Sequence, residues 1–148
     1  MEVIGCIVKI GNKEDFLRKF KDRKMLFLDA GYVLGKNHVI SAYERAKRAF
    51  DNGKNISDDI LIETMLYVAG ERQISKALKK VSIKDNIDKI AVLILDGNPE
   101  NLPFKRDDSI LEPSDEKLLS ILGKKYEMLE EKSYDIIFER MSLLKIKK

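Results

Sequence analysis

The sequence is poor in the side chains that most often build catalytic and metal sites. Its 148 residues include one cysteine, Cys6, one histidine, His38, and no tryptophan. A single cysteine excludes an internal disulfide, and no Cys and His cluster has the spacing of a zinc site. We expect Cys6 to be a buried core thiol and His38 to be a solvated or capping residue. We therefore predict no catalytic residue, no metal, no cofactor and no enzymatic activity.

Phosphate-loop and membrane signals are missing as well. The stretch GYVLGK at 31–36 has two glycines and a lysine, but it lacks the spacing and the Ser or Thr of a P-loop, so we interpret it as a turn. The longest apolar runs are too short to span a bilayer. The first ten residues, MEVIGCIVKI, do not have the pattern of a signal peptide. With the lone cysteine, these features favour a reducing, cytoplasmic setting and no membrane partner.

Charge is abundant and unevenly distributed. Charged residues make up 36% of the chain, and the formal net charge is +3. Residues 1–84 hold 17 Lys and Arg against 11 Asp and Glu, whereas residues 85–148 hold 11 against 14. Such a chain can present a basic surface to a polyanion and a more acidic one to a protein. Ordinary surface charge is the alternative, and composition alone favours it.

The apolar pattern predicts one domain, residues 1–148, of the α/β or α+β class. We expect a small mixed or antiparallel sheet of three to four strands packed with several helices. Strands are predicted over 3–10, 25–29 and 90–95. Helices are predicted after Asn12 and over 38–52, 57–69, 72–81, 114–122 and 134–144. Residues 100–113 are interpreted as a surface loop. Three consecutive helices between the second and third strands exclude a simple alternation of strand and helix.

Two of these helices form an unusual pair. In the helix that we expect Ser57 to cap, apolar residues cover nearly the whole circumference, so it is predicted to be central and buried. Gly70 ends it. The next helix is expected to turn Ile74, Ala77, Leu78 and Val81 inward. Its Arg72, Lys76, Lys79 and Lys80 follow the spacing i, i+4, i+7 and i+8, which predicts a basic face. That face would bind phosphates with salt-sensitive affinity, although a merely solvated face is the more frequent case.

The stretch GERQISKALKKVSIKDNIDKIAVLIL resembles the family of the small KEOPS subunit, known as the PRPK-binding protein family. The residues that carry the likeness are Ile74, Ala77, Leu78, Lys79, Lys80, Ile83 and the strand from Ile90. Two further stretches are similar: AYERAKRAFDNGKNISDDILIETMLYVAG, around Gly53-Lys54, and DIIFERMSLL, with Arg140, Met141 and Ser142. Ser82 departs from the pattern, because the family usually has glycine there.

The resemblance implies a non-catalytic subunit of KEOPS, the complex that installs threonylcarbamoyl on the adenosine beside the anticodon of tRNAs that read codons beginning with A. It implies binding to the kinase-like ATPase subunit, contact with the other KEOPS subunits through it, and binding of tRNA through its CCA end. The competing hypotheses are a protein-interaction scaffold that regulates the kinase-like subunit without binding RNA, and a small hydrolase or transferase of unusual design.

Beside this resemblance, the residues suggest where each partner would bind. For tRNA we predict the basic helix, with Lys54 as an outlying contact; the set is Lys54, Arg72, Gln73, Lys76, Lys79 and Lys80. Gln73 would pair with a base edge or be only a surface residue at a helix start. For the kinase-like subunit we look to exposed apolar positions of the central helices, Met65 or Tyr67. The apolar stripe of Ile137, Met141 and Leu144 in the terminal helix belongs more often to a core than to an interface.

Overall fold

The computed structural model describes residues 1–99, 102–122 and Met141. The predicted terminal helix over 134–144 lies outside these residues, except for Met141, whose side chain is fully buried. Within the described residues the chain forms a single-domain α+β fold, which confirms the predicted fold class.

The sheet has four antiparallel strands in the order β2-β3-β1-β4. They are β1 (Glu2–Ile10), β2 (Met25–Asp29), β3 (Ile87–Ile94) and β4 (Lys105–Arg106). The three predicted strands are confirmed, and β3 begins three residues earlier than expected. The fourth strand lies in the predicted loop over 100–113. It has two exposed residues, too few to leave an alternating apolar pattern in the sequence.

Five α-helices accompany the sheet in the described part of the chain. They are α1 (Lys13–Arg18), α2 (Lys36–Asp51), α3 (Ile60–Ala69), α4 (Ile74–Val81) and α5 (Asp115–Leu122). Short 3-10 turns occupy Ala30–Tyr32 and Asp108–Leu111. The succession of α2, α3 and α4 between β2 and β3 confirms the predicted three-helix insertion. Because β2 and β3 are antiparallel neighbours, these helices need no parallel crossover and pack together on one side.

The caps of these helices were predicted with mixed success. Asn12 and Ser114 accept backbone hydrogen bonds at the starts of α1 and α5, as expected. The prediction that Ser57 caps α3 is wrong, because Asp59 occupies that position and its Oδ1 accepts the N–H of Leu61 at 2.8 Å. A carboxylate next to the first turn is favoured there by both the hydrogen bond and the helix dipole. The Ser57 hydroxyl accepts instead the N–H of Asp59.

The sheet separates two apolar clusters. Helices α2 to α5 pack on one face, which includes Leu28 and Leu93. The other face is covered by α1 and the segment 102–104, and it includes Cys6, a buried core thiol as predicted. Burial raises the pKa of this thiol to about 11. Phe16, Phe20, Phe27 and Phe104 lie in mutual contact on this second face, with ring centroids 5.2–6.5 Å apart. The α2–α5 face holds the larger of the two apolar clusters.

At Gly5, β1 and the segment 107–111 lie close together. Its N–H donates to Asp108 Oδ1 at 3.0 Å, and its carbonyl accepts the N–H of Asp107 at 2.8 Å. A Cβ on Gly5 would lie 2.6 Å from the Asp107 carbonyl oxygen and 2.8 Å from Ile110 Cγ1. Such distances require the backbone to move.

Gly5→Ala is expected to lower the free energy of unfolding by about 1–3 kcal/mol, because the added methyl group overpacks this contact. Urea denaturation followed by circular dichroism measures the change. Gly11→Ala is the matched control, since a Cβ on Gly11 meets no atom within 4 Å. Equal stability of the two variants would contradict the close packing described for Gly5.

Candidate functional site

The corner between α3 and α4 is built by backbone hydrogen bonds. Gly70 adopts the left-handed conformation, with φ 67°, and ends α3 as predicted. The N–H of Gly70 donates to the Tyr67 carbonyl, and the N–H of Glu71 donates to the Leu66 carbonyl at 3.1 Å. This pair of bonds is the Schellman arrangement, which a glycine accommodates without strain. Four residues, 70–73, separate the end of α3 from the start of α4.

His38 holds the same corner from α2. Of the two roles expected for it, solvated or capping, the solvated one is wrong, and the capping one agrees with its bond to the last turn of α3. Its side chain is fully buried. Nδ1 accepts the N–H of Leu34 at 3.0 Å, and Nε2 lies 3.0 Å from the Val68 carbonyl oxygen, to which it donates. Both ring nitrogens are thus satisfied by a neutral imidazole. Burial lowers the pKa of His38 to about 4, so the ring links α2 to the last turn of α3 without carrying a charge at neutral pH.

Glu63 anchors the opposite end of α3. It is a fully buried carboxylate, and it accepts the N–H groups of Ile56 and Ser57 at 2.7–3.1 Å. These bonds fix the connection between α2 and α3, which carries the exposed Lys54. Glu63 was not predicted from the sequence. A lone acidic residue within an otherwise apolar helix is the signal that would have indicated it, because a buried charge requires partners.

The predicted basic face is present on α4 and on the corner before it, with one exception. Arg72, Gln73, Lys76 and Lys79 are exposed, although Arg72 and Gln73 precede the helix. Among the described residues, none forms an ion pair with Arg72, Lys76 or Lys79. Lys80 instead turns back: its Nζ donates to the Ala69 carbonyl at 3.3 Å and lies 3.7 Å from Glu71 Oε1.

Lys54 lies apart from these residues. It precedes α3, whereas Arg72 follows it. A helix of ten residues is about 15 Å long, so α3 separates Lys54 from the residues at the corner. The predicted tRNA-binding set is therefore divided into an exposed group on α4, one residue that stabilises the corner, and one at the far end of α3.

The apolar side of α4 differs from the prediction. Ala77 and Val81 are buried, as expected, but Ile74 and Leu78 are 37% and 40% exposed. These two side chains lie one turn apart and form an apolar strip beside the exposed lysines. Only a narrow stripe of α4 therefore contacts the body of the protein.

Met65 and Tyr67 are buried, with 6% and 5% of their surface exposed, so the expectation of exposed apolar positions on α3 is wrong. The central helix is covered on all sides, as its sequence predicted. Burial raises the pKa of the Tyr67 hydroxyl, and the nearby Glu63 adds to the effect. The assignment of Met65 and Tyr67 to a partner contact stays a prediction. The exposed apolar side chains near this corner are Ile74 and Leu78.

The polar groups that resemble catalytic or phosphate-binding features have structural partners. In the stretch GYVLGK, the N–H of Gly35 donates to the Leu111 carbonyl, and Lys36 Nζ lies 2.7 Å from Asp108 Oδ2. Arg106 also binds Asp108, and its hydrogen bonds hold the pKa of that carboxyl well below the usual range. Over residues 1–99 and 102–122, no group of three His, Cys, Asp or Glu side chains is arranged to hold a metal. No helix in this part of the chain is long and apolar enough to cross a membrane.

The fold and the exposed surface of α4 define a small α+β protein with a candidate partner-binding helix held at a rigid corner. Comparison with known families identifies its family: residues 8–138 match the family model described as kinase binding protein CGI-121. Because the match covers most of the chain, the protein belongs to the CGI-121 family, and a kinase-associated accessory role follows from that membership. None of the curated proteins compared with the chain matches it.

The buried His38 predicts a stability that depends on pH. The ring binds a proton with a pKa of 6.5 in the unfolded chain and about 4 in the folded protein, so acidification favours unfolding. Stability contributed by neutral His38 is complete above pH 6.5 and falls by roughly 3 kcal/mol as the pH approaches 4. Urea unfolding at intervals from pH 7.5 to 4.5 measures this loss. His38→Gln should be less stable at pH 7 and should lack this component. An unchanged pH profile in His38→Gln would contradict the assignment.

Proposed function

We propose that this protein is a non-catalytic accessory subunit of the KEOPS complex, acting in threonylcarbamoyladenosine modification of tRNA in the cytoplasm. In this role it binds the kinase-like ATPase subunit, which links it to the other subunits, and it recruits tRNA by binding the CCA end. Family membership supports the kinase contact, and the resemblance of the corner sequence to the KEOPS subunit supports the complex. The observation that carries the proposal is the surface of α4, where an exposed apolar strip lies beside exposed cations.

The apolar strip is the better candidate for the kinase contact. Ile74 and Leu78 expose large apolar side chains one turn apart, whereas Met65 and Tyr67 have almost no surface to offer. Protein interfaces are commonly anchored by a few apolar side chains that become fully buried when the partner binds. Hydrogen bonds from α2 and within α3 hold the corner, so the apolar strip lies on a rigid element. Binding a partner then costs little conformational entropy.

The exposed cations are the better candidate for the RNA contact. Lys76 and Lys79 project from the outer side of α4, and Arg72 lies just before its first turn. Such side chains neutralise phosphates, and the released counterions favour binding. Gln73 makes no capping hydrogen bond with its side chain, which leaves its amide free for a base edge, although a simple surface role explains it equally well. Lys80 contributes through the corner that it stabilises.

A scaffold that regulates the kinase-like subunit without binding RNA is the second candidate. The family description, which names kinase binding alone, favours it. The two hypotheses differ in one measurable property. Direct RNA binding through lysines gives an affinity that falls steeply with salt, whereas a pure protein scaffold has no specific affinity for tRNA.

Lys76→Glu/Lys79→Glu should weaken tRNA binding, because two phosphate contacts are replaced by repulsion. The slope of log affinity against log salt concentration should decrease by about two. Fluorescence anisotropy with tRNA, with and without the CCA end, measures both effects. Lys89→Glu/Lys105→Glu is the matched control: both lysines are exposed, and they lie on the strands on either side of β1. The same loss in both variants would assign the effect to net charge alone, and no loss in the first would remove α4 from the RNA contact.

Ile74→Glu/Leu78→Glu should weaken binding to the kinase-like subunit by roughly tenfold or more, because a charged pair replaces the apolar anchor. Both residues are exposed, so the fold should survive, and circular dichroism verifies this. Leu119→Glu is the control, since Leu119 is an equally exposed leucine on α5. Calorimetric titration with the purified subunit gives the affinities. Retained affinity in the folded α4 variant would exclude the strip as the contact.

A further inference from the structure

The densest basic stretch of the chain lies outside α4. Residues 18–24 read RKFKDRK and contain five cations and one acidic residue, a net charge of +4. We call this stretch the basic segment. It joins α1 to β2, and its five cationic side chains are all exposed: Arg18, Lys19, Lys21, Arg23 and Lys24.

Most of these cations form no ion pair with the rest of the described chain. Arg18 lies 3.5 Å from Asp15, with both side chains largely in solvent, and it is the one cation of the segment that pairs with an acidic residue among those described. Arg23 lies over the ring of Phe20, 5.7 Å from its centroid, which orients the guanidinium without cancelling its charge. The segment therefore presents a concentrated positive charge to solvent.

The backbone of the segment is also held in place. The N–H of Arg23 donates to the Phe20 carbonyl, and the carbonyl of Lys24 accepts the N–H of Leu95 at the end of β3. Phe20 itself is buried among the phenylalanines of the second sheet face. The segment thus combines charge with a fixed position, but its own aromatic ring is not available to stack on a base.

The basic segment and α4 lie at opposite ends of the edge strand β2. The segment leads directly into Met25, whereas Leu28 pairs with Ser82 at the end of α4, and Lys84 binds Asp29. Five residues of strand span about 16 Å, which is the length of about five nucleotides of one strand at the spacing of B-form DNA. A single nucleic acid lying along this edge would therefore reach both basic surfaces.

Acidic residues near the basic segment reduce the net positive charge of this region but do not cancel it. A groove of 580 Å³ beside the segment is lined by Lys21, Arg23 and Lys24, and also by Asp22, Asp59 and Asp96. The Asp59 carboxylate is already engaged by the N–H groups of Leu61 and Ile62. Three cations and three carboxylates therefore line the groove, whereas the exposed Lys19 lies outside it.

We propose that the basic segment binds backbone phosphates in the double-stranded part of the same RNA whose single-stranded end is held at α4. This inference rests on the proposed RNA-binding function. The chemistry of the segment is that of backbone recognition: several cations at a fixed position, with the segment's own ring buried, contact phosphates in any sequence. The segment would set the direction in which the stem leaves the protein.

Lys19→Glu/Lys21→Glu/Lys24→Glu tests the proposal and leaves the contact between Arg23 and Phe20 intact. Two RNA probes are compared by fluorescence anisotropy: a hairpin with a single-stranded CCA overhang, and a short single strand ending in CCA. The variant should bind the hairpin roughly tenfold more weakly, with a salt slope reduced by two to three, and should bind the short strand as the wild type does. The Lys76→Glu/Lys79→Glu variant should lose affinity for both probes.

Lys9→Glu/Lys89→Glu/Lys105→Glu is the matched control, because it changes the net charge equally at three exposed lysines of the sheet. Wild-type affinity of the segment variant for the hairpin, or a loss no larger than that of the control, would overturn the inference and leave the α4 contact standing. Loss of binding to the kinase-like subunit with hairpin binding intact would assign the segment to a protein contact and also overturn it. If the wild-type protein bound neither probe, the proposed RNA function itself would fail.

Discussion

The burial of α3 is the constraint on which the rest of the structure depends. A helix with apolar residues around its whole circumference must be covered on every side, and α2, α4 and the sheet provide that cover. Its few polar groups are satisfied within the core: Glu63 accepts N–H groups of the preceding connection, and the Val68 carbonyl accepts the bond from His38. Because both ends of α3 are fixed in this way, the direction of the chain after α3 is set by the corner at Gly70.

The properties of α4 follow from that corner. The helix has eight residues and contacts the body through a narrow stripe, so it leaves both an apolar strip and a group of cations in solvent. The exposed surface is thus held by rigid elements, which suits a protein that positions partners, because little freedom is lost when they bind. The kinase-associated role of the CGI-121 family agrees with this arrangement.

Much of the fold could be predicted because local patterns are strong here. Three strands, the three-helix insertion and the end of α3 at Gly70 each leave a signal in periodicity or in a terminating glycine. The family, too, could be recognised from the ordered stretches around the corner. The errors concern the partners of individual side chains. His38 was expected to be solvated or capping and Lys80 to lie on the exposed basic face, but His38 is buried, and both side chains donate to carbonyl groups at the end of α3. No local pattern reports a partner that is distant in sequence.

By itself, the sequence determined the class of the fold, the burial of the central helix, the family and the presence of a basic surface near residue 76. Each of these properties depends on short-range periodicity or on composition, and both can be determined from the sequence without knowing how the chain folds. Tertiary structure alone decided that Met65 and Tyr67 are buried, that Ile74 and Leu78 are exposed, and that the basic segment and α4 share one edge of the sheet. These facts depend on which elements pack together, because the exposure of a side chain is set by its neighbours in space.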